Sequence, residues 1–284
     1  MTAQKFYFNK RHAALGTKHK KEKVITPLFQ QELGILVRVP YDYDTDQFGT
    51  FSLDKPRSSN QKNTARLKAR GAMELLGLDI GIASEGTFGP HPQLPFGIAN
   101  TEIVIFVDDK YGLEVFGGSV EPVTYAQNIV AHSIDEVIGF ANNIGFPLHG
   151  IVIRKAEKNY KDMVKGIINK EELTEVASRL LQKNKSIWLE TDFRAHVNHS
   201  RMQNIRRAVE DLISNLKRHC PKCDMPGFHR ITSKPGLPCE SCGHPTDMPL
   251  YDVYKCDKCD FEQDLIFPND KEIAYAGYCD YCNP

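Results

Sequence analysis

Cysteine is the residue type whose spacing carries the clearest chemistry in this sequence. All eight cysteines lie within the last 65 residues of the 284-residue chain. They form four Cys-x-x-Cys pairs, namely Cys220/Cys223, Cys239/Cys242, Cys256/Cys259 and Cys279/Cys282. A two-residue gap lets both thiolates of one tight turn face the same ion, and four thiolates around zinc make a closed tetrahedral site. The pairs therefore predict a zinc-ribbon module with two structural zinc ions.

The spacing leaves open how the pairs share these ions. The first two pairs are separated by 15 residues and the last two by 19, and both gaps are usual for a zinc ribbon. Sequential sharing would join pair one with pair two and pair three with pair four. Interleaved sharing would join pair one with pair three and pair two with pair four. We expect the sequential arrangement.

A disulfide framework is the alternative use of the cysteines. Such frameworks stabilise small secreted proteins, and residues 1–12 lack the apolar core of a signal peptide. No apolar run approaches the roughly 18 residues that span a bilayer. The composition, with 41% hydrophobic and 25% charged residues, is that of a globular protein. We therefore expect a cytoplasmic protein without membrane contact, whose thiols bind zinc.

The charge of the chain is unevenly distributed. The whole sequence has 36 Lys and Arg against 36 Asp and Glu, but residues 220–284 hold 6 against 11. The part before them therefore carries a net charge of +5, and anionic ligands should prefer it. Zinc bound by four thiolates adds negative charge to the module, and the whole chain has a formal net charge of zero, so we do not expect nucleic acid as a partner. A structural role or a protein partner is the better expectation for the module.

Lysines that could bind a phosphate group lie near the N-terminus. Residues 16–23 read Gly-Thr-Lys-His-Lys-Lys-Glu-Lys and lead into a predicted helix. Lys18 and Lys21, together with the free N–H groups of a helix N-terminus, can hold an anion. The Gly-Lys-Ser/Thr order of a Walker motif is absent. A solvated basic turn is the alternative interpretation.

Carboxylates that could bind a metal follow in the next segments. Asp44 and Asp46 are two residues apart and could coordinate Mg²⁺, while Phe48 or Phe51 could stack on a base. A plain loop anchored by its aromatic residues is the alternative. Glu85 lies just after a predicted strand, among glycines and prolines, and we expect a functional loop there rather than a structural turn.

A fourth polar segment, residues 190–198, follows the strand that contains Trp188, the only tryptophan. Its mixed charges fit either a site or an internal salt-bridge network.

The elements that must position these groups alternate between strand and helix. Short β-branched runs predict strands at residues 35–39, 80–83, 102–107, 113–116, 151–154 and 187–190. Apolar periodicity predicts helices around residues 24–29, 65–76, 173–181 and 202–216. Gly34 should end the first helix, and Pro27 should lie in its first turn. The alternation is typical of an α/β fold, and a turn at residues 108–112 would make the sheet mixed.

Two domains follow from this division. We expect an α/β, nucleotide-binding-like domain over residues 1–217 and a small zinc-ribbon domain over residues 218–284. Because the last predicted helix runs almost directly into Cys220, the zinc ribbon should be docked rather than loosely tethered.

With these segments in order, residues 13–120 resemble the inosine triphosphate pyrophosphatase superfamily. Its members begin with a strand, a phosphate-binding loop with Lys at a helix start, and a second strand, and residues 17–39 have that form. They continue with an Asn-Ala-x-x-Lys-Ala type helix motif and a strand ending in an acidic-glycine turn, which residues 63–69 and 82–86 resemble. The whole chain also resembles an uncharacterised bacterial family without an assigned activity.

The superfamily resemblance implies a Mg²⁺-dependent hydrolase of a nucleoside triphosphate or related phosphorylated nucleotide. In that case Glu85 would be a metal ligand or base, and Asp44 and Asp46 would be metal ligands. The phosphate partners would be Lys18, Lys21 and Lys68.

The chain departs from the superfamily pattern at two places. Asn63 stands where many members have Glu, and Ser84 with Glu85 where they have an Asp pair, so one metal ligand is lost unless Asp44 or Asp46 replaces it. Residues 121–217 are also longer than the usual ending. The alternative is therefore a non-catalytic protein that senses a nucleotide and docks a protein partner through the zinc ribbon. Nucleic-acid binding through the ribbon is a third hypothesis.

Overall fold

Three β-sheets and the helices that cover them make up the part of the chain that the computed structural model describes. That part comprises residues 7–48, 59–91, 94, 96–268 and 270–283. None of the described helices is long and apolar enough to cross a bilayer.

The first sheet is mixed, as the sequence predicts. Its strands are β1 (His12–Gly16), β2 (Leu36–Arg38), β3 (Ile80–Pro90), β4 (Ile98–Asp108) and β5 (Leu113–Val123). They lie in the order β2-β1-β3-β4-β5. The pairs of β1 with β2 and with β3 are parallel, whereas β3, β4 and β5 form an antiparallel meander. The predicted turn at residues 108–112 joins β4 to β5.

Five helices lie in the described residues. They are α1 (Glu22–Leu33), α2 (Gln61–Leu76), α3 (Ile134–Asn143), α4 (Lys170–Leu181) and α5 (His199–Lys217). Strand residues alternate between the two faces of the first sheet. Ile82 and Phe106 face a core that includes residues of α1 and α5, while their neighbours Ala83 and Ile105 face α2. The first sheet is thus covered on both faces.

The second sheet is antiparallel and holds its own core. Its strands are β6 (Asn128–Ala131), β7 (Ile151–Arg154), β8 (Val164–Ile167) and β9 (Ile187–Thr191). Their order is β6-β9-β7-β8. Apolar residues of α3 and α4, such as Phe140 and Leu173, pack against Ile153 and Leu189 of this sheet.

The third sheet belongs to the cysteine-rich region. It is antiparallel, in the order β10-β11-β12, with β10 (His229–Pro235), β11 (Pro249–Lys255) and β12 (Glu262–Ile266). The expected docking is observed, because Met225 packs on the core of the first sheet. The Arg218 guanidinium, just after α5, also lies 4.2 Å from the centre of the Tyr254 ring.

Several elements differ from the sequence predictions. Strand β1, whose sequence is His-Ala-Ala-Leu-Gly, was not predicted because it lacks β-branched residues. Its position between β2 and β3 stabilises it instead. Strands β6 and β8 and helix α3 were also missed, although Ser133 accepts a hydrogen bond from the Glu136 N–H at the start of α3, a recognisable capping signal.

Two boundaries were predicted wrongly. Pro27 is the sixth residue of α1 rather than part of its first turn, since the helix begins at Glu22. Strand β3 does not end at Ala83 but continues to Pro90, because β4 pairs with it along its whole length. Glu85 is therefore a strand residue, and the functional loop predicted around it does not exist as a loop.

Candidate metal centres and candidate ligand site

The eight cysteines converge into two groups of four. The first group is Cys220, Cys223, Cys256 and Cys259, and the second is Cys239, Cys242, Cys279 and Cys282. Within each group the sulfur atoms all lie within 4.8 Å of one another. The pairs are therefore interleaved, and the sequential sharing predicted above is wrong.

The distances between the sulfurs match metal coordination. The closest contacts between pairs are Cys220–Cys259 at 3.7 Å, Cys223–Cys256 at 3.6 Å, Cys239–Cys282 at 3.9 Å and Cys242–Cys279 at 3.5 Å. Zinc–sulfur bonds of about 2.3 Å place the corners of a tetrahedron about 3.8 Å apart. A disulfide would bring two sulfurs to about 2.05 Å. All eight cysteines are free thiols, so the groups fit metal ions and not a disulfide framework.

The same backbone turn presents each pair of thiolates. In every pair, the residue after the second cysteine donates its N–H to the carbonyl of the first cysteine. These donors are Asp224, Gly243 and Asp260 at 2.9 Å and Asn283 at 2.8 Å. Asp224 and Asp260 adopt φ values of 58° and 55° to close this turn, a conformation that Asp tolerates better than most residues. The Cys-x-x-Cys motif thus determines the local geometry of each ligand pair.

The antiparallel third sheet explains the interleaving. His229, at the start of β10, lies opposite Lys255, at the end of β11. The first pair precedes β10 and the third follows β11, so both lie at one end of the sheet. The second pair follows β10, and the fourth pair follows β12. The last residue of β12, Ile266, lies opposite Tyr251 near the start of β11. These two pairs therefore meet at the other end.

A second candidate site lies where β1 ends. Strand β2, the next along the chain, pairs with one edge of β1, and the following strand, β3, pairs with its other edge. Such a reversal is a topological switch point, and ligands of parallel sheets bind beyond the carboxyl ends of the strands there. Gly16, the last residue of β1, lies opposite Ala83, so from Ser84 onward that edge of β3 is no longer paired with β1. We call this region the switch cleft.

Glu85 and Lys68 form an ion pair in the switch cleft. The Lys68 Nζ lies 2.6 Å from Glu85 Oε2, and the two side chains are only 10% and 6% exposed. Gln61 donates to the Glu85 carbonyl at 2.8 Å. Lys68 and Glu85, both predicted for the site, are thus brought together. The negative charge of Glu85 is paired with the positive charge of Lys68.

Lys21 reaches the same cleft from the N-terminus of α1. Its Nζ donates to Ser84 Oγ at 2.9 Å and to the Ser84 carbonyl at 3.2 Å. The residue is 6% exposed, and no carboxylate of the described residues forms an ion pair with it. Burial, followed by the positive charge of Arg201, lowers the pKa of Lys21 to about 7, while Glu102 and Glu85 oppose this shift. An anion beside Lys21 would favour its charged form.

Arg201 and Glu102 complete the buried charges around Lys21, and the sequence analysis missed both. Arg201 Nε donates to Glu102 Oε1 at 2.7 Å, with side-chain exposures of 1% and 0%. No local signal could have found this pair, because its members are 99 residues apart. They lie over Gly86, where a Cβ atom would approach Glu102 Oε1 to 2.1 Å. Gly86 therefore provides the space for the pair.

The remaining acidic and basic candidates that the structure describes are more exposed. Lys18 forms an ion pair with Asp44 at 2.8 Å, in which both side chains are nearly half exposed. The side chain of Asp46 and the whole of Phe51 lie outside the described residues. Within the described ranges, the two cysteine groups are the only clusters of three or more Cys, His, Asp or Glu that could hold a metal. The predicted Mg²⁺ site is therefore not assembled from described residues.

The polar segment at residues 190–198 forms a salt-bridge network. Glu190 pairs with Arg154, and Asp192 pairs with Arg194 at 2.6 Å. Asn198 accepts a hydrogen bond from the Arg201 N–H and so caps α5. The segment holds the second sheet against α5, which favours the structural alternative for these residues.

An apolar cavity of about 810 Å³ opens further along β3. Phe88 and Phe193 stack in its wall with ring centres 4.1 Å apart. Phe88 lies on the same face of β3 as Ser84 and four residues beyond it, a distance of about 13 Å at the rise of a β-strand. The switch cleft and this cavity are thus neighbours along one strand.

Comparison with known protein families places the chain among relatives without an assigned role. A family model described as a domain of unknown function (DUF6671) matches residues 68–284. The matched region includes Lys68, Glu85, Glu102, Arg201 and all eight cysteines. No curated protein matches the chain.

Proposed function

The chain belongs to the DUF6671 family, and we propose that it is a binding protein for a phosphorylated nucleotide, held together at its C-terminal end by two structural zinc ions. The observation that carries the proposal is the set of buried charges in the switch cleft. Of the described residues whose charges act on Lys21, two are cations, Lys68 and Arg201, and two are carboxylates, Glu85 and Glu102. When Lys21 is protonated, these five side chains sum to one positive charge, which a phosphate would neutralise.

The start of α1 adds donors for a phosphate. Lys21 occupies the N-cap position of α1, and its side chain does not cap the helix. The N–H groups of Lys23 and Val24 already donate to the Lys20 and Lys21 carbonyls, so the helix contributes the positive end of its dipole, which attracts anions. Thr17 is the first residue after β1 and is 6% exposed. Its hydroxyl has no hydrogen-bond partner among the described residues. A phosphate oxygen would satisfy this hydroxyl.

The neighbouring cavity suits the other half of a nucleotide. A nucleotide joins a charged phosphate to a flat, weakly polar base, and bases stack well on aromatic side chains. Phe88 and Phe193 offer such a surface about 13 Å along β3 from Ser84. This separation of a charged site from an aromatic one favours a nucleotide over inorganic phosphate.

Zinc is the ion that we assign to the cysteine groups. Four thiolates in tetrahedral geometry are a set of ligands typical of structural zinc. Both groups use all four positions for cysteine, so the ions would have no open position for water or substrate. Their contribution is to folding of the third sheet.

Nucleotide titration of purified protein by calorimetry tests the binding proposal. We expect ATP or inosine triphosphate to bind the wild type and Lys21→Met to weaken binding at least about tenfold, because a hydrogen bond to a charged group contributes roughly 1.5 to 3 kcal/mol. Lys18→Met is the matched control, since Lys18 is half exposed and pairs with Asp44; its affinity should change less than about twofold. Equal losses in both variants, or no binding by the wild type, would contradict the proposal.

Hydrolysis of the nucleotide is the second candidate function. It is favoured by the position of Glu85, a buried carboxylate close enough to Lys21 for its charge to affect the pKa of that lysine, which lies at about 7. A lysine with such a pKa can exchange a proton at neutral pH.

Glu85→Gln separates the two functions. If the protein only binds, loss of this negative charge should tighten nucleotide binding several-fold, because the cations of the cleft are then less neutralised. If the protein hydrolyses nucleotides with Mg²⁺, phosphate release should collapse in the same variant. Release from a panel of normal and deaminated nucleotides, measured on the wild type and the variant, distinguishes these outcomes.

A further inference from the structure

A second concentration of positive charge lies on the other α/β sheet. A groove of about 610 Å³ runs between the segment after β7 and the C-terminal end of α4. The charged residues that line it are Lys155, Lys161, Arg179, Lys183 and a single acid, Asp162. We call it the basic groove. It shares no residue with the switch cleft, so an inference about it does not depend on the proposed nucleotide site.

The cations of the basic groove have no acidic partners among the described residues. Some exposed arginines elsewhere do have such partners, as Arg70 has Asp109 and Arg206 has Glu210. In the described part of the chain, by contrast, none of the four groove cations forms an ion pair. The groove therefore has an excess of three positive charges over its one acid. The C-terminal dipole of α4 offsets only about half a charge of this excess.

The shape and lining of the basic groove indicate what its ligand must supply. A concave surface with charge of one sign concentrates ions of the opposite sign. Four cations spread around one groove match several linked anionic groups better than one small anion. No aromatic side chain lies among the described residues that line the groove, and the apolar part of the wall is Met163, Val164 and Leu180. Nucleobases would have no aromatic ring there on which to stack. The groove must therefore recognise the negative charge of the ligand's backbone.

We propose that the basic groove binds a chain of phosphate groups. Two sources share this chemistry, namely inorganic polyphosphate and the backbone of single-stranded nucleic acid. Binding should depend little on base sequence and strongly on salt, because each phosphate that is neutralised releases a counterion.

Fluorescence anisotropy of the full-length protein tests this proposal with two probes. One is a labelled single-stranded homopolymeric DNA, and the other is unlabelled inorganic polyphosphate as a competitor. With about four phosphate contacts to a single strand, a plot of the logarithm of the binding constant against the logarithm of the salt concentration should have a slope of about −2.8. This slope corresponds to about a 50-fold loss of affinity between about 50 and 200 mM salt. The double variant Arg179→Glu/Lys183→Glu should reduce this slope to about half and weaken binding at least about 20-fold at low salt.

The matched control is Lys110→Glu/Lys271→Glu, which makes the same charge change at two exposed lysines outside the groove. It should keep most of the affinity, and melting curves should confirm that both double variants fold.

If DNA binds and polyphosphate displaces it, both sources fit the groove. If polyphosphate alone binds, as measured by calorimetry, the source is the free polymer. The proposal is overturned if neither binds at low salt, or if both double variants lose affinity equally.

Discussion

At the scale of single residues, the switch cleft contains both of the lysines that are buried in the described part of the chain. Lys21 and Lys68 are 6% and 8% exposed, and Arg201 is 1% exposed. Desolvating a charge costs free energy that an ion pair only partly returns. Lys21 has hydrogen bonds to Ser84 but no ion pair among the described residues. Strongly shifted pKa values cluster at functional sites, which supports a ligand at this lysine.

The pH dependence of stability tests the environment of Lys21. Its pKa falls from 10.5 in the unfolded chain to about 7 in the fold. The unfolded state therefore binds the additional proton between about pH 7 and pH 10.5, and the free energy of unfolding should rise with pH across that window. Relative to Lys21→Met, which cannot titrate, the wild type should gain about 2 kcal/mol between about pH 6.5 and pH 9.

Urea unfolding of the wild type, Lys21→Met and Lys18→Met at both pH values measures this gain. Lys18→Met should follow the wild type in parallel, because it leaves Lys21 in place. A constant difference between wild type and Lys21→Met would show that Lys21 keeps its ordinary pKa in the fold.

At the scale of elements, β3 connects the two halves of the proposed ligand site. It is parallel to β1 up to Ala83 and then continues beside β4 alone. The glycines and prolines around Glu85 predicted a loop, but eleven residue pairings with β4 keep β3 extended to Pro90. The same extension places Ser84, Glu85 and Phe88 along one line. Strand pairing at long range therefore builds the site, against the local preference of the residues.

Gly86 gives a direct test of this arrangement. A Cβ atom at Gly86 would come within 2.1 Å of Glu102 Oε1 and 2.7 Å of Arg201 Nη2. Gly86→Ala should displace this buried ion pair and lower the free energy of unfolding by about 1 to 3 kcal/mol. Gly89→Ala is the control in the same strand, since a Cβ there has no neighbour within 4 Å. Denaturant curves for the two variants should differ clearly, and similar curves would mean that the pair over Gly86 moves aside at little cost.

At the scale of the whole molecule, the third sheet joins the two cysteine groups to the α/β part. The first group lies beside Met225 and Phe228, and Met225 contacts the core of the first sheet. The second group lies at the other end of the third sheet. The module thus contacts the α/β part through the end of the third sheet that carries the first cysteine group.

Paired cysteine variants test the interleaved sharing. Cys239→Ser/Cys279→Ser breaks the second group only and should leave about one zinc ion per chain, whereas Cys220→Ser/Cys239→Ser breaks both groups and should leave none. Elemental analysis of the purified variants measures the zinc content. Sequential sharing would give the reverse pattern, and the wild type should contain about two zinc ions.

The residues of the zinc groups could be identified from the sequence, because a Cys-x-x-Cys turn is a local structure whose geometry depends on few neighbours. The mixed α/β class, the hairpin between β4 and β5 and the end of α1 at Gly34 were also predictable from local periodicity and turn residues. Lys21 and Glu85 were recognised as chemically interesting by their positions near element ends, and Lys68 by the superfamily resemblance. The roles assigned to them, and the domain boundary at residue 217, stay predictions.

Only the tertiary structure decided which groups meet. Interleaving of the cysteine pairs follows from the antiparallel order of the third sheet, which no spacing along the chain specifies. The pairing of Glu85 with Lys68 and the meeting of Glu102 with Arg201 depend on strands and helices that are distant in sequence. Local preferences act over a few residues, whereas these contacts are selected by the packing of whole sheets.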